Sequence, residues 1–510
     1  MLLGIICLIA ATYCGAATYY VSPNGSDNAA GSLAQPFATL QKGNDAAVAG
    51  DTVYIRGGTY SISTPANSGA GIAINKSGTS DSKRIYFWAY NREVPVFDFS
   101  NLNISTSTYT HGFVVTGSWL HFKGLEIRNV PMNTNSNCGM HVDNTGNNIF
   151  EMMNFHHNKG AGLFISDTKG RGGHLVLNCD SHDNYDPTGR QGNGQNADGF
   201  GCHYQPAGSG TSTTFRGCRA WWNSDDGFDC INQGVAVLIE NCWNWLNGYE
   251  AGTMTSAPDG NGNGFKIGGW GMPPSGYPNP VPQHTVRNCL AFLNKAAGFY
   301  QNHQPANNYY YNNTSYNNRS ANFNMLGYNL ATGADVGMGI YRNNVSFTGT
   351  ATSNATGADA SYDSWNISGL TVAASDFSSV DTTGVYGPRK ADGSLPDVKF
   401  MHLSATSKLI DKGTDVGLPY TGAAPDLGAF EYGAVSSVVP SQTIHQKNAL
   451  RTGTELKLVG FSRSNTPAVE NSRIALYTIT GQRIYPIGWN ISAGLRPGVY
   501  IEKRMPEGSR

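Results

Sequence analysis

Charge is scarce in this chain of 510 residues, of which only 14% are Asp, Glu, Lys or Arg. The 34 basic residues nearly cancel the 35 acidic ones, and no block of Lys and Arg stands out. The sequence therefore lacks the basic surface that nucleic-acid binding requires. Long hydrophobic runs are missing after the first twenty residues, which excludes stable membrane insertion. The hydrophobic content of 39% still suffices for a large core.

The N-terminal residues have the pattern of a secretory signal. Residues 1–11 are almost wholly apolar, and the small residues Gly15–Ala17 follow them. Such a stretch is too short to span a membrane, and small residues suit cleavage by a signal peptidase. We therefore predict that residues 1–17 are a signal peptide and that the mature chain is secreted.

The middle of the chain contains a repeat. Residues 288–299 (NCLAFLNKAAGF) align without a gap with residues 312–323, an offset of 24, and residues 217–228 fit the same pattern. Short runs of β-branched and aromatic residues, separated by Gly and Asn, are typical of a β-solenoid. We therefore predict an all-β fold in which stacked turns bury a common core.

Stacking converts aligned sequence columns into ladders of side chains about 4.8 Å apart. We expect an Asn column at a bend, where Asn tolerates left-handed backbone and its amides bond along the stack. We expect an apolar column and a Cys column in the interior. The columns are Asn158, Asn184, Asn223, Asn247, Asn294 and Asn318; Leu163, Phe200, Phe228, Phe265, Phe299 and Phe323; and Cys179, Cys218, Cys242 and Cys289. Cys202 and Cys230 are close enough in principle for a disulfide, but we expect buried free thiols.

The two ends differ from the repeat. Residues 18–60 indicate strand, helix and strand, with the helix between Pro36 and Ala49, and would cap the open end of the solenoid. The segment Leu409–Glu431 would close the domain. The last part of the chain resembles the C-terminal sorting modules of secreted bacterial enzymes and would then place the protein at the cell surface; the alternative is a plain β-sandwich remnant. We predict a signal peptide at 1–17, a β-helix domain at 18–433, a linker at 434–448 and a small β appendage at 449–510.

Acidic residues concentrate on one side of neighbouring turns. Asp198 and Asp226 both lie two residues before an interior Phe, and Asp225 and Asp229 stand close by. Strand alternation points Asp229 outward, and a bend near Gly227 would let Asp226 join it. Four crowded carboxylates need a cation, and oxygen ligands with no matching His or Cys nearby favour Ca²⁺. The alternative is that these residues form turns and face solvent.

Lys266 follows an interior Phe as Asp229 does, which makes the two outward neighbours on successive turns. This register requires the insertion 248–262 to loop out without adding a turn. A lysine beside carboxylates is usually a salt-bridge partner. A bound cation would push it toward the neutral form that a general base requires.

Three segments around these residues carry a family resemblance. They are NADGF at 196–200, NSDDGFD at 223–229 and GNGFKIGG at 262–269. In combination they resemble the signature segments of polysaccharide lyase family 9, whose known members are pectate and related lyases. The resemblance runs from about Thr18 to Tyr432.

The resemblance implies a right-handed parallel β-helix and a Ca²⁺-dependent pectate lyase, which the predicted signal peptide would export. Its partner would be an acidic plant cell-wall polysaccharide, cleaved by β-elimination, and we expect a monomer. Lys266 would be the Brønsted base. Independently of the resemblance, Tyr300 occupies the outward column one turn beyond Lys266, where it would either contact sugar or be an ordinary surface residue. The implied Ca²⁺ ligands are Asp198, Asp225, Asp226 and Asp229.

Other functions remain open on the sequence. A rhamnogalacturonan lyase of the same fold is the first, because backbone choice depends on insertions such as 185–197 and 248–262. A hydrolase of the polygalacturonase type would use Asp225 and Asp226 as acid and base without a metal. A non-catalytic carbohydrate-binding solenoid would bind the ion only to stabilise its fold.

Overall fold

The computed structural model describes residues 15–270 and 277–433, together with two short strands, Leu476–Tyr477 and Arg483–Ile484. Those two strands pair antiparallel. In the described residues, no helix has both the length and the hydropathy to cross a membrane.

The chain divides into two compact units, residues 1–438 and 439–510. Residues 1–14 of the expected signal peptide and the expected linker at 434–448 lie outside the described residues. The expected appendage at 449–510 is described only in its two short strands.

Three parallel sheets form a right-handed β-helix within the described part of the first unit, which confirms the expected fold class. Sheet 1 consists of Thr18–Val21, Thr52–Ile55, Ile85–Ala89, Leu120–Lys123, Ile149–Glu151, Leu175–Leu177, Thr214–Arg216, Leu238–Glu240, Thr285–Arg287, Tyr309–Tyr311, Ile340–Arg342 and Asp359–Ser361. Sheet 2 consists of Gly58–Ser61, Pro95–Asp98, Glu126–Arg128, Asn154–His156, Asp180–His182, Arg219–Trp221, Trp243–Trp245, Leu290–Phe292, Thr314–Tyr316 and Val345–Phe347. Sheet 3 consists of Ala70–Ile74, His111–Val115, Met140–Asp143, Leu163–Ser166, Phe200–His203, Phe228–Asp229, Phe265–Lys266, Phe299–Tyr300, Phe323–Asn324 and Thr352–Ser353. Each turn of the chain passes through the sheets in this order.

The predicted apolar column fills the interior behind sheet 3. Neighbouring rings stack with centroids 5.0 Å apart for Phe200 and Phe228, and 4.9 Å apart for Phe228 and Phe265. The column is buried throughout. The seven described cysteines, including Cys202 and Cys230, are also buried and free, which confirms them as small apolar groups.

The Asn column forms a continuous chain of amide hydrogen bonds between sheets 2 and 3. Asn184 Nδ2 donates to Asn223 Oδ1 at 2.8 Å, and Asn223 Nδ2 donates to Asn247 Oδ1 at 3.0 Å. The expectation of left-handed backbone at these Asn residues is wrong. The residue with positive φ is the one before each Asn, for example Asp183 and Trp222. The Asn itself keeps a backbone conformation from which its side-chain amide reaches the Asn of the next turn.

The N-terminal cap contains a helix shorter than the sequence indicates. The α-helix is Leu40–Ala46 rather than Pro36 to Ala49. Thr39, which is extended, caps it by accepting a hydrogen bond from Lys42 N at 3.1 Å, and Ala47 returns to extended backbone. The helix covers the end of the core.

The segment Leu409–Glu431, expected to close the domain, lies against sheet 2, where Phe430 meets the ring of Trp243 edge-on at 6.3 Å and Ala429 N donates to Thr314 Oγ1 at 2.9 Å. Residues 386–400, which precede it, lie across the outer face of the same sheet. Tyr386 and Phe400 pack on a stack of aromatic rings that includes Trp245. The guanidinium of Arg389 donates to Asp180 at 2.6 Å. These contacts shield the sheet from solvent. The smaller elements are the hairpin Leu326–Asn329 and Ala334–Gly337 and the 3-10 helices Asp81–Lys83, Tyr90–Arg92 and Ala374–Asp376.

Phe299→Ala tests the contribution of the interior ladder. The ring of Phe299 is 1% exposed and stacks on Phe265 at 5.0 Å and on Phe323 at 4.9 Å. The cavity should reduce the free energy of unfolding by about 3–5 kcal/mol in a urea titration. Tyr432→Ala, at a ring that is 43% exposed, should stay within about 0.5 kcal/mol of the parent. A loss below about 1 kcal/mol for Phe299→Ala would contradict the role of the ladder.

Candidate active site

The predicted acidic cluster lies on the outer face of sheet 3. In the parallel register Gly201 pairs with Asp229, Asp229 with Lys266, and Lys266 with Tyr300. Because side chains alternate along a strand, the residues that come directly after the interior Phe ladder all point outward. The insertion 248–262 loops out between neighbouring turns, as expected.

Lys266 contacts two of the four predicted carboxylates. Its Nζ donates to Asp229 Oδ2 at 3.0 Å and lies 3.0 Å from Asp226 Oδ2. The second contact lacks hydrogen-bond geometry, which leaves the buried Asp226 Oδ2 without a donor. Lys266 is only 9% exposed, so its ammonium depends on these carboxylates.

The other carboxylates come from the loops that lead into the strands. Asp226 N donates to Asp198 Oδ1 at 3.1 Å, which links adjacent turns. Asn261 N, in the insertion, donates to Asp225 Oδ1 at 2.6 Å, and Asn263 N, directly after it, donates to Asp226 Oδ1 at 2.7 Å. The bend near Gly227 thus brings Asp226 to the site.

A cleft of about 640 Å³ opens over this cluster. Asp198, Asp225, Asp229 and Lys266 are among the residues that line it. Asp226 is 0% exposed and lies beneath Lys266. Tyr300 lies next to Lys266 in the sheet but outside the cleft lining.

The charges in the cluster do not balance. Burial, and then the neighbouring carboxylates, raise the pKa of Asp198 and Asp225 well above its usual range. Burial also raises the pKa of Asp226, although Lys266 opposes it. Burial disfavours the charged form of Asp229 too, but Lys266 outweighs it and holds that pKa low. Four carboxylates around one ammonium leave an excess of negative charge.

Burial alone would lower the pKa of Lys266. The four carboxylates around it outweigh burial, with Asp226 and Asp229 first, and raise that pKa well above its usual range. In the metal-free cluster the lysine is therefore charged and serves as a counter-ion.

The oxygen donors fit a hard divalent cation. Oxygens of Asp198, Asp225 and Asp226 all lie within 4.8 Å of one another. Carboxylates at this spacing match the irregular oxygen shell that Ca²⁺ accepts, and Asp226 Oδ2, although ion-paired with Lys266, accepts no hydrogen bond.

One residue of the site is absent from the sequence prediction. His203 brings a ring nitrogen within 4.8 Å of carboxylate oxygens of Asp198 and Asp229, so the expectation that no His lies near the cluster is wrong. His203 is the second residue after Gly201 on the same strand, and alternation places both on the outer face. That alternation was the signal available in the sequence.

The sequence matches the family described as "Pel9A-like, right handed beta helix region" over residues 19–344. The chain belongs to this family. Pectate lyase L of Dickeya chrysanthemi is 39% identical over 422 residues, which cover 81% of this chain and 90% of that protein. Pectate lyase PEL9 of Emericella nidulans is 32% identical over 432 residues, covering 78% and 95%.

Solved structures agree with this assignment. A rhamnogalacturonan lyase has a TM-score of 0.70 at 36% identity and covers 76% of this chain and 96% of its own. Pectate lyase Pel9A has a TM-score of 0.68 at 37% identity, covering 82% and 97%. The resemblance to polysaccharide lyase family 9 is confirmed, and this Pel9A-like protein is an enzyme, a polysaccharide lyase.

Asp225→Asn tests the electrostatic strain in the Pel9A-like site. The pKa of Asp225 is raised in the folded chain, so its charged form opposes folding at any pH above its unfolded pKa near 4. With a chelator at pH 7, Asp225→Asn should raise the free energy of unfolding by about 1 kcal/mol or more. This gain should fade as the pH falls toward 4.

Asp180→Asn is the matched control. Despite burial, Arg389 and Arg219 hold the pKa of Asp180 low, so the same substitution should destabilise the protein by about 3–5 kcal/mol at pH 7. Destabilisation of Asp225→Asn in the chelated protein would contradict the unbalanced charge of the cluster.

Proposed function

We propose that this chain is a Ca²⁺-dependent pectate lyase that acts as a monomer and uses Lys266 as the base of β-elimination. The observation that supports it most is the contact of the Lys266 ammonium with the carboxylates of Asp226 and Asp229 at the wall of an open cleft. The cleft carries an excess of carboxylates, and the proposed substrate is itself a polyanion. A divalent cation bound between them would allow the substrate to bind next to the amine of Lys266.

The chemistry of the substrate explains why the reaction needs both a cation and the amine of Lys266. The C5 proton of a galacturonate residue lies next to the C6 carboxylate, and its removal places further charge on an anion. When bound, Ca²⁺ supplies positive charge that offsets the Asp cluster and polarises the C6 carboxylate. The proposed ligands are Asp198, Asp225, Asp226 and Asp229.

Lys266 then has a single task. Its neutral Nζ takes the C5 proton, the electrons of the C5–H bond form the C4=C5 double bond, and the C4–O4 bond breaks. The leaving O4 takes a proton from solvent, and no water is consumed. Asn263 N and Ile231 N, which donate to Asp226 and Asp229 at 2.7 and 2.8 Å, fix the carboxylates that position the amine.

We propose that Tyr300 has at most a supporting role beside the base. Its ring is half-buried next to Lys266. Burial raises the pKa of Tyr300 to about 12, so its hydroxyl remains a hydrogen-bond donor at the pH at which Lys266 would act. From that position it would contact the edge of a bound sugar.

We further propose that the protein is exported. The apolar run at residues 1–11 followed by Gly15–Ala17 supports removal of residues 1–17 as a signal peptide. An insoluble cell-wall polymer as substrate requires an enzyme outside the cell. Residues 449–510 would then act in sorting or surface attachment.

Lys266→Ala tests the proposed base. Turnover should fall by about 10²–10⁴-fold or more, because no other lysine of the described residues lines the cleft. Ca²⁺ affinity, measured by calorimetry, should not weaken, since the substitution removes a competing positive charge. Lys412→Ala, at an exposed lysine far along the chain, is the control and should keep full turnover. Near-normal turnover of Lys266→Ala would remove the lysine from this role.

Product absorbance tests the reaction and its substrate together. Elimination creates a double bond conjugated to the uronate carboxylate, so ultraviolet absorbance should rise on polygalacturonate and stop when a chelator is added. A higher rate on rhamnogalacturonan would assign the backbone to the second candidate, which the similarity to a solved rhamnogalacturonan lyase favours. New reducing ends without absorbance would contradict elimination and favour hydrolysis by Asp225 and Asp226.

A further inference from the structure

His203 is a buried histidine with one nitrogen left unpaired. It ends the strand Phe200–His203 and is 4% exposed. Its Nδ1 lies 2.9 Å from the carbonyl oxygen of Ile231. Its Nε2 has no hydrogen-bond partner. A buried polar atom without a partner is costly, which indicates that a missing ligand belongs there.

The partner of Nδ1 decides what Nε2 can bind. A carbonyl oxygen only accepts, so Nδ1 must carry the hydrogen. In the neutral ring Nε2 then presents a lone pair. A histidine that donates one ring N–H to a backbone carbonyl and leaves the other nitrogen open has the arrangement of a metal ligand with its orienting partner.

The surroundings hold this ring in place and keep space in front of it. The ring stacks on Phe164 with centroids 4.8 Å apart. Gly201 lies between His203 and Asp229 in the outer face, and a Cβ at Gly201 would come within 2.9 Å of His203 Nε2. The glycine therefore leaves the path from the nitrogen to the carboxylates open.

Carboxylates of Asp198 and Asp229 lie close to the His203 ring. His203 Nε2 or Nδ1 and carboxylate oxygens of Asp198 and Asp229 lie within 4.8 Å of one another, and Nδ1 is occupied by the Ile231 carbonyl. One nitrogen and two oxygens at this spacing suit a borderline divalent ion such as Zn²⁺ better than Ca²⁺, whose ligands are oxygens.

We propose that Asp198, His203 and Asp229 form a second cation position, selective for borderline ions such as Zn²⁺, beside the oxygen-only position of Asp198, Asp225 and Asp226. The second position shares Asp198 and Asp229 with the four ligands proposed for Ca²⁺, so the two ions compete. An ion in the second position also takes Asp229 away from Lys266. Zn²⁺ is therefore an antagonist of the Ca²⁺ form of the site.

Calorimetric titration of the full untagged chain with Zn²⁺ alone, and separately with Ca²⁺ alone, tests this position. His203→Phe keeps the ring stack and removes the nitrogen, so Zn²⁺ affinity should fall at least about tenfold while Ca²⁺ affinity changes less than about threefold. His203→Gln should do the same if the phenyl ring disturbs the fold. Saturating Zn²⁺ should weaken Ca²⁺ binding to the wild-type chain.

His141→Phe is the matched control, because His141 lines the same cleft but its Nε2 already pairs with Ser166 Oγ at 2.8 Å. It should bind Zn²⁺ as the wild type does. Unchanged Zn²⁺ affinity in both His203 variants, or an equal loss in His141→Phe, would overturn the second position and leave the lyase proposal intact. A wild-type chain that binds neither ion would contradict both.

Discussion

Repulsion among buried carboxylates is the constraint on which the site depends. Asp198, Asp225, Asp226 and Asp229 are each at most 6% exposed, and Lys266 contacts two of them, Asp226 and Asp229. Removing like charges from water is expensive unless counter-charges offset it. The chain bears this cost because the backbone leaves the side chains little freedom to separate.

That backbone restraint comes from the stacked turns. The Phe ladder behind sheet 3 and the Asn ladder beside it fix the register of each strand against its neighbours. A shift of one residue would turn Asp229 and Lys266 into the core. Backbone N–H groups of Asn261, in the insertion, and Asn263, directly after it, donate to Asp225 and Asp226. Rigid packing and an electrostatically strained surface thus occur on opposite faces of the same strands.

The sequence predicts the features that depend on periodicity. Spacing from an interior Phe is enough to place Asp229 beside Lys266, because strand alternation and parallel stacking are regular. It predicts less where the chain is irregular. The helix at Leu40–Ala46 is shorter than its pattern indicates because local capping at Thr39 decides its start. His203 lies three residues beyond Phe200, outside the Asn/Asp-Gly-Phe motif, so only the continued alternation of the strand indicates that it shares the outer face.

A crystal structure of the full chain grown with Ca²⁺ tests the central claim most directly. We expect one ion about 2.3–2.6 Å from carboxylate oxygens of the Asp cluster, with Lys266 Nζ no longer in contact with both Asp226 and Asp229. An ion bound elsewhere on the β-helix, with the lysine still paired to its carboxylates, would contradict it.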